Sequence, residues 1–184
     1  MSEPVETLQG QLLVSSPSLH DPNFRKTVVL IAHHDEDGAV GVVLNNATDV
    51  MVAEAVPQLG SLVANDEPLF IGGPVEPQAA IVMADFVDPS AAEILALGSI
   101  GFLPPGSEAG IEDQIRRARV YAGYSGWGAG QLESEMAEDS WIVEPARPED
   151  VFVSDPSRLW EDVLRRKGRA FDLLRSMPAD PTMN

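Results

Sequence analysis

The sequence predicts an α/β (α+β) protein: one compact domain built on a mixed β-sheet with helices packed on it. Three observations predict this. The chain has 184 residues, 44% hydrophobic and 22% charged, which suits a single packed domain. Short apolar runs rich in Val and Ile recur along it, bounded by Gly, Pro and Asp. Helical patterns fall irregularly between these runs, and no internal repeat or shift in composition divides the chain, so residues 1–184 read as one unit.

In chain order, residues 1–8 read as a loose start and 11–14 as a short strand. Residues 15–23 form a loop broken by Pro17 and Pro22. Residues 26–33 (KTVVLIAH) are almost continuously apolar, the mark of a buried strand. Residues 35–38 (DEDG) are a turn, with Asp37-Gly38 as the hairpin signal, and residues 39–44 are the returning strand. Residues 50–56 read as a short helix stopped by Pro57, and residues 69–71 and 79–84 as strands. Residues 89–97 read as a helix starting near Asp88, and 111–117 as another. Residues 119–124 are a strand, followed by a glycine-rich turn and a helix over 131–138. Residues 140–144 are a strand, and 151–153 a brief one. The last helix is capped by Asp155 with Pro156 at its first position. Trp160, Val163, Leu164, Phe171 and Leu174 fall on one of its faces. Pro178 and Pro181 end it, and residues 178–184 read as a loose tail.

The formal net charge is −17, from 12 Lys+Arg against 29 Asp+Glu. Nucleic-acid affinity comes largely from cations neutralising phosphates, so direct binding to DNA or RNA is disfavoured. The two densest basic groups are Arg116, Arg117 and Arg119, and Arg165, Arg166, Lys167 and Arg169. Both stand beside acids and neither is interleaved with aromatics. With no cysteine there is no disulfide framework and no thiolate metal site. Residues 1–7 carry Glu3 and Glu6 and do not read as a signal peptide. No run approaches the ~18 apolar residues of a membrane span. The expected setting is the cytoplasm, with no cofactor and no metal.

The densest candidate site is the stretch 123–135 (GYSGWGAGQLESE), with four glycines in its first eight residues. Read as a strand-to-helix turn, it lets backbone approach a ligand closely. Tyr124, Trp127, Gly130, Gln131 and Glu133 are its recognition residues. The spacing is neither that of a dinucleotide fingerprint nor that of a P-loop. Glu133 and Glu135 in the first helical turn would repel phosphate, so a neutral or cationic ligand fits better. The same glycines are equally those of a tight turn over which Trp127 packs. Ser125 lacks the Gly-x-Ser-x-Gly register of a nucleophile elbow, and a triad would have to draw on His20, His33 or His34. His33 and His34 are adjacent on a strand end and point to opposite faces, which disfavours a shared metal. Asn45 closes the hairpin, where its amide serves turn chemistry or orients a ligand. Gly73 ends a buried strand, a position where a sheet binds ligands or simply turns.

Several segments together resemble the YqgE/AlgH family over nearly the whole chain. They are 24–31 (FRKTVVLI), 38–45 (GAVGVVLN), 70–75 (FIGGPV), 123–133 (GYSGWGAGQLE), Trp141 and 176–184 (SMPADPTMN). The resemblance implies a compact α/β fold with an unusual mixed sheet, and neither an assigned enzymatic activity nor a cofactor. One branch of that family has been called a transcriptional regulator of alginate synthesis. His34 matches a family histidine. Ser125 stands where the family usually has Ala, and Asn46 where it usually has a basic residue.

Two functions of different class follow. The first is a binding or regulatory module whose surface is the glycine turn, with Asn45, His34 and Gly73 nearby, for a protein or small-molecule partner. The second is an acid/base hydrolase using Glu133 or Glu135 with His34, which requires these groups within hydrogen-bond reach of one substrate.

Overall fold

Nearly continuous apolar strands need cover on both faces, and the architecture supplies it. A computed structural model describes residues 6–16, 22 and 24–168. The strands are β1 (Gln11–Ser15), β2 (Val28–Asp35), β3 (Gly38–Val43), β4 (Ala47–Met51), β5 (Pro68–Ile71), β6 (Val75–Phe86), β7 (Ile94–Leu97), β8 (Ile100–Phe102), β9 (Ile115–Gly128) and β10 (Trp141–Pro145). The α-helices are α1 (Val52–Ala55), α2 (Gln131–Ala137), α3 (Pro148–Val151) and α4 (Leu159–Lys167).

The main path of the sheet runs β10-β1-β2-β3-β9-β6-β8-β7, and β4 and β5 attach to the side of β9. Every pairing is antiparallel except that of β5 with β9, which is parallel. This is an α+β protein with a mixed sheet. The sheet curls, so that β7 at its far end comes back against β2. The Gln9 side-chain amide fastens the approach by donating to the Leu95 carbonyl (2.6 Å).

Strand β2 shows why its sequence lacks alternation. Val28, Leu30 and Ala32 enter the central core, while Val29 and Ile31 enter a second layer with Trp127, Leu132 and Trp141. Helix α4 closes the central core with Leu159, Trp160, Val163 and Leu164. The Trp160 indole N–H donates to the Ser15 carbonyl (2.9 Å). Phe171 and Leu174, expected on the same face, lie outside the described residues, as do residues 178–184.

Several expected elements take another form. Residues 89–97 are not a helix: Asp88 caps only a 3-10 turn at Pro89–Ala91, and the chain then enters β7. Residues 111–117 hold a second such turn, Glu112–Gln114, before β9 begins. Residues 50–56 divide between β4 and α1, and Val151 ends a helical turn where a strand was expected. In each case a short amphipathic run was compatible with both states, and strand pairing decided it. Residues 7 and 8 are not loose: the Thr7 hydroxyl donates to the His34 carbonyl (3.2 Å), and Leu8 packs on the Trp127 layer.

Candidate functional site

The glycine-rich stretch is not a strand-to-helix turn. Gly123, Gly126 and Gly128 all lie inside the 14-residue strand β9, and only Ala129 and Gly130 separate it from α2. Gly123 is required because strands crowd there. It has φ 70°, and a Cβ on it would stand 2.6 Å from the Gly73 carbonyl oxygen and 2.8 Å from that of Val75. Gly73 meets the same strand from the other side: its Cβ would lie 2.2 Å from the Tyr124 carbonyl oxygen.

Opposite Gly123 the pairing slips. Strand β6 advances five residues, from Val75 to Ala80, while β9 advances two, from Tyr124 to Ala122. The surplus bulges outward. Within it Glu76 adopts φ 47°, a left-handed conformation costing a non-glycine residue on the order of 1–3 kcal/mol. The left-handed turn at Gly123 also breaks the alternation of β9. Tyr121 and Tyr124, three residues apart, therefore both pack on the central core.

This bulge forms one side of a cavity of about 410 Å³ at the mouth of the curled sheet, within the range of small-ligand sites, roughly 300–1,000 Å³. Its apolar wall comes from Val40 of β3, Ile81 and Val82 of β6, Ile94 of β7 and Phe102 of β8. Glu76, Glu93, Glu108 and Tyr124 supply the polar part of the lining, and among the described residues no Lys or Arg joins it. Glu76 and Glu93 are exposed, while Glu108 is half-buried and accepts from the Gly106 N–H (3.2 Å). The Tyr124 hydroxyl makes no hydrogen bond to any described residue. The chemistry is that of an apolar slot with negative charge at its rim and one unclaimed hydroxyl. Sequence reasoning found Tyr124 and missed the three glutamates, whose spacing at 76, 93 and 108 has no local signature.

The other expected residues fall elsewhere. Trp127 is not an exposed recognition residue: it is 6% accessible and packs in an aromatic cluster. Its ring centroid lies 6.2 Å from both Phe24 and Trp141. The Ser125 hydroxyl is wholly buried and donates to the Gly72 carbonyl (3.0 Å), so it is no nucleophile. Gln131 closes its own turn, its Oε1 accepting from the Gly128 N–H (3.0 Å), and Gly130 sits in that turn at φ 75°. Asn45 clamps two strands: its Oδ1 accepts from the Val28 N–H (3.0 Å) and its Nδ2 donates to the Lys26 carbonyl (2.9 Å). His33 points to solvent and contacts Asp35 (2.8 Å), away from the buried His34. His20 lies outside the described residues.

His34 and Glu133 do meet. Nε2 of His34 lies 2.6 Å from Oε1 of Glu133. The Leu8 backbone N–H, which can only donate, points at Nδ1 (2.9 Å). Nδ1 therefore accepts and Nε2 donates, and with the ring 2% accessible neither nitrogen is left to take a proton from a substrate. The contact ties residue 8, β2 and α2 together. It also holds the Glu133 carboxyl below its ordinary range, the larger influence being its own backbone N–H at the start of α2 and the second the His34 hydrogen bond. Glu135 is engaged by the Trp141 indole N–H (3.3 Å).

Fold and cavity together define a small α+β protein with a ligand-sized apolar cavity at the mouth of a curled mixed sheet. A family model described as AlgH-like matches residues 12–172. A UPF0301 protein of Streptomyces avermitilis is 38% identical, the alignment covering 98% of this chain and 97% of that one. A UPF0301 protein of Mycobacterium tuberculosis is also 38% identical, covering 95% and 90%. A crystal structure from Corynebacterium diphtheriae superposes with a TM-score of 0.83 at 28% identity, covering 96% of this chain and 95% of that one. The solution structure of the AlgH protein of Pseudomonas aeruginosa gives 0.71 at 27% identity, covering 97% and 98%. The chain belongs to the AlgH-like family. Among the described residues, no helix is long and apolar enough to cross a membrane.

Proposed function

We propose that the protein is a binding module whose ligand is an apolar body carrying a cationic group, and that it acts in the cytoplasm as a regulator responding to that ligand. The observation that carries the proposal is the composition of the mouth cavity. Its wall is aliphatic and aromatic, three carboxylates and the Tyr124 hydroxyl stand at its rim, and among the described residues no basic side chain lines it. An alkyl or aryl amine satisfies both parts: the body leaves water for the wall, and the ammonium meets Glu76, Glu93 and Glu108. The same carboxylates repel carboxylate and phosphate ligands, in keeping with the overall charge of −17. The glycine-rich stretch supports this cavity from behind, and Tyr124 is the member of it that reaches a ligand.

A thermal-shift titration with hexylamine, hexanol and hexanoate tests the reading. Hexylamine raises the melting temperature, hexanol raises it less, and hexanoate leaves it unchanged. A ligand at 100 times its dissociation constant adds about 2.7 kcal/mol to stability. Replacing Glu93 with Gln weakens hexylamine by about tenfold, since the ammonium loses one of its partners, while the unliganded protein stays within about 0.5 kcal/mol of wild type. Equal shifts with the amine and the carboxylate, or none with any probe, would sink the proposal.

A further inference from the structure

Arginines 116, 117 and 119 lie apart from the mouth cavity. The first residues of β9 have β6 on one side, and β5 joins the other side only at Tyr121 and Ala122. In this stretch lies a groove of about 350 Å³ whose lining includes Ser61, Glu67, Phe152 and the three arginines.

The three guanidinium groups are not equivalent. Arg119 is buried: its Nε donates to Glu67 (2.9 Å) and its two terminal nitrogens to the carbonyls of Val151 (3.1 Å) and Val153 (2.6 Å). Arg116 donates through Nη1 to the Phe86 carbonyl (2.7 Å) and to Asp85 (3.2 Å). Arg117 makes no hydrogen bond to any described residue. Its ion-pair partner among the described residues is Asp85, at 4.0 Å, a charge contact beyond hydrogen-bond reach. Its guanidinium lies instead 4.2 Å from the centre of the Phe152 ring. That contact holds the planar fork in place and leaves its N–H groups unclaimed. Glu67 is matched by Arg119, while Arg116 and Arg117 share the single carboxylate of Asp85, so this pair of arginines carries the surplus positive charge of the groove.

We infer that this groove is a site for a small oxyanion, a phosphate or carboxylate group, gripped by the Arg117 fork with the free N–H groups of Arg116 beside it. A planar fork already stacked on a ring loses little freedom on meeting two oxygens, and paired N–H···O⁻ bonds are the strong kind. The occupant is small. The Ser61 hydroxyl at the groove is held by Glu112 (3.0 Å), and Glu112 and Asp113 are both exposed, so a chain of phosphates would be repelled. The ligand preference is opposite in sign to that of the mouth cavity, so the two sites fail or stand separately.

The test is calorimetric titration of the full chain at low ionic strength with inorganic phosphate and, separately, with succinate. Wild type is compared with Arg117→Gln and with Arg165→Gln, a surface arginine paired to Asp162 (3.3 Å). Saturable binding is expected for at least one anion, weakened about tenfold in Arg117→Gln and unchanged in Arg165→Gln. The tighter anion identifies the group recognised. Arg117→Lys keeps the charge and removes the fork. A similar loss in that variant, at an unchanged melting temperature, supports the assignment should Arg117→Gln fold poorly. Absence of saturable binding by both anions overturns the assignment, as does equal weakening by the changes at 117 and 165.

Discussion

Tyr124 and Trp127 stand three residues apart on the same strand and serve different parts of the molecule. Trp127 packs with Phe24, Trp141 and Leu132 in a layer closed by α2. Tyr124 stays half-buried, with its hydroxyl turned to no described partner, at the edge of the mouth cavity. In sequence both are aromatic neighbours of glycine. The difference comes from what covers each face of β9. One face meets a helix, and the other meets a bulge that leaves space.

The sharpest way to break this comparison is to truncate each aromatic. Trp127→Ala empties a packed layer and should cost about 3–5 kcal/mol. Tyr124→Ala should cost about 1 kcal/mol and yet remove amine binding. Urea unfolding of both variants, with hexylamine titration of whichever remains folded, checks the pair. Similar stability losses would mean that Tyr124 is as much a core residue as Trp127, and the cavity assignment would fail with it.

The bulge that separates the two faces is addressed by Gly123→Ala. At φ 70°, with carbonyl oxygens 2.6 and 2.8 Å from the new Cβ, the loss should be on the order of 3 kcal/mol. For a chain of this length that lowers the melting temperature by roughly 6–12 °C. A neutral effect would show that β6 can slide past β9 without its bulge, leaving the cavity without its defining wall.

The smallest effect concerns the closed side. The folded-state carboxyl of Glu133 is held below its ordinary value of 4.5. Its stabilising contribution is therefore fully present above that value and is lost as pH falls through the lower, folded value. Glu133→Gln should be slightly less stable than wild type at pH 7, with the gap closing as pH falls through the lowered folded-state value. Denaturant midpoints at pH 7, 5, 4 and 3 follow it. A gap that does not change with pH would mean that the His34 contact contributes by packing alone.

Much of the candidate site was out of reach of the sequence for a definite reason. Glu76, Glu93 and Glu108 belong to a bulge, the approach to β7 and a loop after β8, and only the curl of the sheet brings them together. The hydrolase alternative requires His34 to meet Glu133 or Glu135, which residue order cannot show, and the structure brings His34 to Glu133 at 2.6 Å. The use of this contact was not legible, because the Leu8 amide that occupies the other ring nitrogen comes from a stretch that read as loose. The glycines of 123–130 were read as a turn because clustered glycine usually marks one. Here Gly123 lets strands approach closely, a role that depends on residues some fifty positions away, such as Gly73, while Gly126 and Gly128 meet only ordinary contacts and Gly130 alone sits in the turn.

What the sequence by itself determined is what local chemistry dictates. The doubly buried β2, the hairpin turn within 35–38, the start of α2, the Asp155 cap of the 3-10 turn that leads into α4, the apolar face of α4 and the family all follow from residue order. The tertiary structure alone decided the strand order, the conversion of two expected helices into strands, the burial of Trp127 and the position of the mouth cavity. Those features depend on which strand lies beside which. Pairing is set by contacts between distant residues, and a short amphipathic segment does not encode them.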